Sequence, residues 1–173
     1  MHSRIFQVSE KSVAEKDYIS DDDIPEWFCP GIADYVCGLE NPERDRDKEI
    51  SYLLKCLEDS VKGDGKDGFT LVNRAAYFEA RKTAYLKYAK QVVEALESPD
   101  GLRLFMNDRS GGPEVSEKVS DFNIARVSMN DAYVDKFGTY FYYLGDLVTQ
   151  DEFLRQAEDG TKFYIGAILD WHM

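Results

Sequence analysis

Histidine is nearly missing from this chain of 173 residues: only His2 and His172 occur, one near each end. A zinc site built from imidazole and thiolate therefore has little to draw on. The three cysteines, Cys29, Cys37 and Cys56, neither form a CxxC pair nor come in the even number of a disulfide framework. Free thiols in a reducing compartment are the simple reading. No metal and no cofactor is expected.

Long apolar runs are missing too. The longest uncharged ones, "YFYYLG" and "FYIGAIL", fall far short of the roughly 20 residues that cross a bilayer. The opening "MHSRIFQVSEKS" soon turns polar and lacks the order of a secretory signal, which places the protein in the cytoplasm as an expectation. Neither nucleotide loop, G-x-G-x-x-G nor G-x-x-x-x-G-K-[ST], is present. "GDGKDG" looks like the start of a calcium loop at Asp64, but Ala75 stands where the bidentate glutamate is required, so it reads as a turn. The G-x-S-x-G elbow of serine hydrolases is absent as well.

Positive charge is in short supply. Against 33 Asp and Glu there are 21 Lys and Arg, a formal net of −12. Such a field repels phosphate backbones and anionic lipid surfaces, so no direct nucleic-acid partner and no membrane partner is expected. The surplus suits solubility. It also suits an acidic decoy that imitates nucleic acid toward a basic protein.

What the sequence does hold is core material: 43% apolar residues, with 11 Tyr, 10 Phe and 2 Trp. That is enough for one α+β domain over residues 1–173, with a mixed or antiparallel sheet of about four or five strands and as many helices. Strands are expected at 3–9, in "TYFYYL" and in "KFYIGAILDW", with shorter ones in "LRLFM" and "FNIARVS"; "FTLVN" is ambiguous between strand and helix. The apolar stripe Ile50, Leu53, Leu54, Leu57, Val61 predicts a helix over 44–62. Residues 74–97 predict a second, with a seam of Phe78, Tyr85, Ala89, Val92 and Leu96. A short turn of helix is expected through Ile32, Tyr35 and Val36, and another from Ser128.

Acids crowd residues 143–152, "YLGDLVTQDE". Thr149 and Glu152 have the spacing of a capping box, and Asp151 beside them suits the positive end of a helix dipole. Asp146 is left over, at the exit of a strand where ligands of open sheets gather if the following crossover is parallel. In "DWH", Asp170 and His172 share one side of a strand, where a carboxylate can orient an imidazole. Asp146, Asp170 and His172 are therefore the ligand-site candidates. The leading functional expectation is a non-catalytic domain that binds a protein partner, supported by the missing motifs, the many aromatics and the glycine-containing loop at 108–117. The alternatives are the acidic decoy and a carboxylate-dependent hydrolase.

Overall fold

The two ends of the chain pair with each other. β1 (His2–Ser9) lies antiparallel to β7 (Lys162–His172), in a register that sets His2 beside His172 and Arg4 beside Asp170. The computed structural model describes residues 2–134 and 138–173, with the side chain of Glu58 outside that description. Contacts divide it into one unit of Met1–Tyr77 with Asp135–Met173, and a second of Phe78–Val134.

The first unit is built on a mixed seven-stranded sheet. Along the sheet run β3 (Val61–Gly63), β4 (Gly68–Leu71), β7, β1, β5 (Tyr140–Tyr143) and β6 (Asp146–Thr149), and β2 (Tyr35–Gly38) adds to β7 beside β4. β1 and β5 are parallel, and the other pairs are antiparallel. Both faces are buried, which is why β1 carries Ile5 and Phe6 side by side at 0% and 1% exposure. One face packs Ile5, Tyr140, Leu169 and Trp171 against Phe28 and Ala33. Those two come from the proline-broken stretch, which Gln7 holds down: its amide donates to the Asp17 carbonyl and accepts from the Ile19 and Ala167 N–H groups. On the opposite face α1 (Pro42–Cys56) and α5 (Gln150–Gln156) supply cover, with Phe153 of α5 stacked on Phe141 at 4.4 Å.

The second unit is helical. It takes α2 (Arg74–Glu97) from Phe78 onward, then α3 (Gly101–Phe105) and α4 (Pro113–Tyr133). Its small core is Leu104, Val119 and Phe122, with Val92 and Ala95 packed on it. Among the described residues this makes five α-helices and seven strands, and the fold class is α+β as the sequence predicts.

Several elements differ from expectation. "LRLFM" is α3 and "FNIARVS" lies inside α4, whose buried Val119, Phe122 and Ala125 recur every three residues rather than every two. Pro113 opens α4 at its first position, where the missing N–H has no partner to lose. The helix expected from Ser128 is the end of α4, and residues 135–137 of that stretch lie outside the described residues. Tyr35 and Val36 form β2 rather than a helix, because the exposed edge of β7 pairs them. α1 stops at Cys56, and Val61 opens β3. Seven strands form instead of four or five, since β2, β3 and β6 have only three or four residues and exist by pairing alone.

Asp64 shapes the β3–β4 turn. Its carboxylate accepts from the Lys66 and Gly68 amides at 3.0 and 3.1 Å and lies 3.1 Å from the Lys162 ammonium. Burial pushes this carboxyl up, but those hydrogen bonds outweigh it and hold it below the usual aspartate range. A group depressed in the folded state adds stability that is complete above its unfolded value of about 4 and is lost as pH falls through the folded one. Asp64→Asn is expected to cost about 1 kcal/mol near neutrality and to flatten the acid limb. Urea unfolding at about pH 6 and pH 3 checks both, and equal acid sensitivity of the two proteins would contradict the assignment.

Candidate functional site

Asp146 opens β6 after a two-residue turn in which Leu144 and Gly145 have φ of 54° and 84°. Positive φ at both positions is the hairpin geometry that matches strand twist. β6 and β7 point the same way but are separated by β5 and β1, so the segment between them crosses two strands and Asp146 marks a turn, not a strand's carboxyl end. Nearby, a pocket of about 520 Å3 lies where β1 and the β5–β6 hairpin end. In it Tyr143 donates to Glu10 at 2.9 Å, and burial, then that carboxylate, pushes the phenol up.

Asp170 and His172 do share a face, three strands away from Asp146, and they have company the sequence hides. Strand pairing brings both histidines together, with ring centres 4.9 Å apart. His2 Nδ1 lies 2.9 Å from Asp170, His172 Nδ1 lies 3.7 Å from Asp34, and Tyr35 stacks on the His172 ring. Arg4 donates to Asp170 through one terminal nitrogen and to Glu49 of α1, at 3.0 Å, through the other. Each carboxylate thus already has a cation. This is how two charged rows on a half-buried sheet face remain folded. Among the described residues no group of three or more His, Cys, Asp or Glu is placed to hold a metal ion. Cys37, opposite Asp170 in the β2–β7 register, has its thiol pushed up by burial and then by Asp170, and burial followed by Asp34 does the same to Cys29. Neither is primed as a nucleophile at neutral pH.

The helical unit carries what the sequence does not reveal. A groove of about 650 Å3 runs between α2, α3 and α4, with Ala95, Leu104, Phe122 and Ala125 along it. Asp100, Lys118 and Asp121 border it. Asp100 and Lys118 pair at 3.0 Å, while among the described residues no cation pairs with Asp121. On α3, which gives Leu104 to the groove, Leu102 and Phe105 are 73% and 74% exposed, and Met106 at its C-cap is 67% exposed. Among the described residues the helical unit holds eleven of the eighteen large apolar side chains left exposed, in about a third of the chain. The signal that could have found the groove is the three-residue recurrence of Val119, Phe122 and Ala125, hidden by the alternation Phe122, Ile124 in the same stretch.

Charge is divided the same way. Between residues 78 and 134 there are eight Lys and Arg against nine Asp and Glu, a net of −1, which leaves −11 of the formal −12 on the sheet unit. No helix among the described residues is long and apolar enough to cross a membrane. No family model, no curated protein and no solved structure matches the chain.

Proposed function

We propose that this protein is a non-catalytic binding domain whose helical unit takes an amphipathic segment of a partner protein. An apolar anchor of that segment enters the groove, and a Lys or Arg beside it meets Asp121. The observation that carries this reading is the α3 turn with its cap: Leu102, Phe105 and Met106 stand in water on the segment whose Leu104 lines the apolar groove, on a unit with almost no net charge. Exposed apolar surface gathered in one place marks an interaction site, whereas single exposed leucines are ordinary. Helix-in-groove recognition uses apolar anchors three and four residues apart, the spacing that a groove walled by helices can read. Asp121, at the border of the groove, favours a basic residue in the segment. The two acids nominated by the sequence do not converge, and Asp170 is held by Arg4, so neither supports a hydrolase.

The test is selection from a displayed library of random 16-residue peptides, about the length that gives four turns of helix. Enriched sequences are expected to share apolar residues at i, i+3 or i+4, and i+7, flanked by Lys or Arg. Asp121→Lys is expected to weaken the selected peptides about tenfold, roughly 1.4 kcal/mol. Ala95→Glu, which puts a carboxylate in the groove, is expected to abolish binding. No enrichment, or enriched peptides indifferent to both substitutions, overturns the reading.

A further inference from the structure

α2 has a second apolar seam. Lys82, Leu86, Ala89, Val93 and Leu96 follow one another at intervals of four, three, four and three, which keeps them in one strip along the helix. Leu86 and Val93 are 57% and 52% exposed, and Leu96 is 37% exposed. The strip is not part of the groove: nine residues, about two and a half turns, separate Leu86 from Ala95, so the two lie on opposite sides of the helix. A helix apolar on two sides is suited to packing on two sides. On α2 one side holds Tyr77, Val92 and Ala95 in contact with the rest of the protein, and the other leaves Leu86, Val93 and Leu96 exposed around a half-buried Ala89.

We infer that this strip is a two-fold interface between two copies of the chain, with their α2 helices antiparallel. Charge permits a second copy on this unit. Two chains of −12 repel, but the helical unit contributes only −1 of that, so the surfaces that meet in a contact through it carry little net charge. The strip is also complementary to itself. With the axis beside Ala89, the small residue allows close approach, Leu86 meets Val93 of the second copy, and Lys82 meets Glu97. The exchange runs both ways, as an isologous contact requires. Because the seam covers only about two heptads, association is weak, with a dissociation constant on the order of micromolar. The dimer then displays two grooves facing away from each other, so a partner that repeats its binding segment gains avidity without any new contact. This inference stands apart from the groove, which binds in a single chain as well.

Sedimentation velocity on the full chain, over about 1 to 200 µM, tests it. The wild-type protein is expected to pass from one-chain to two-chain mass across that range. Leu86→Lys with Val93→Lys is expected to stay at one-chain mass while its far-UV circular dichroism and its affinity for a groove-selected peptide are unchanged. Lys82→Glu is expected to raise the dimer dissociation constant about tenfold, since the axis doubles each change, and adding Glu97→Lys to restore it. One-chain mass throughout, or a dimer that the two lysines leave intact, overturns the inference. Loss of peptide binding with the dimer preserved would instead count against the groove alone.

Discussion

Phe153→Ala is expected to lower the free energy of unfolding by about 3–5 kcal/mol, the range for deleting a large aromatic from a core that cannot collapse around the hole. Phe153 has no exposed surface, and four rings surround it: Phe141 at 4.4 Å, Phe163 at 5.0 Å, Tyr143 at 5.3 Å and Phe69 at 6.4 Å. These rings come from α5 and from strands β4, β5 and β7, so one side chain ties together elements distant in sequence. Urea unfolding with an unchanged slope would report the loss as a shift in midpoint. Phe105→Ala is the matched control. Its ring is 74% exposed, and the expected change is within about 0.5 kcal/mol. A large loss at Phe105 would mean that the α3 turn is buried by the protein itself, and the docking surface would lose its basis.

Arg4→Ala is expected to cost about 2–4 kcal/mol, toward the lower end of what breaking a buried ion pair costs, because the site is not fully dry. Arg4 joins Asp170, whose side chain is 19% exposed, to Glu49, at 11%, and removing it leaves two carboxylates facing each other without their shared cation. The combination Arg4→Met, Glu49→Gln and Asp170→Asn is expected to recover much of the loss, since no charge then remains unpaired. Thermal or urea unfolding of the two variants separates a structural ion cluster from a reacting one. Failure of the triple variant to recover stability would show that the carboxylates contribute something beyond their pairing with Arg4.

Local chemistry was readable from sequence, and long-range pairing was not. Thr149 and Glu152 form the expected capping box, with Glu152 accepting from the Thr149 N–H at 3.1 Å and Thr149 accepting in return at 3.3 Å. The expected bounds of α2 hold because a run rich in Ala, Lys, Glu and Leu between a turn and "SPDG" leaves the backbone little choice. Its buried side did not follow, since apolar residues surround α2 and periodicity cannot say which of two seams meets the core; Tyr85 and Leu96, both expected inside, are exposed. The two histidines looked useless to each other at opposite ends of the chain, and only the β1–β7 register joins them. For the same reason the groove was invisible: it needs α3 and α4, and five apolar-rich residues such as "LRLFM" carry no period long enough to tell helix from strand.

The proposed docking site is the helical groove. Amide chemical shifts of the full chain, followed while a selected basic amphipathic peptide is titrated in, test it most directly. Saturable shifts are expected at Ala95, Leu104, Lys118, Asp121 and Phe122, with those at His2, Arg4, Asp170 and His172 unmoved. Shifts centred on the histidine cluster or on the Glu10 and Tyr143 pocket, with the groove silent, would contradict it.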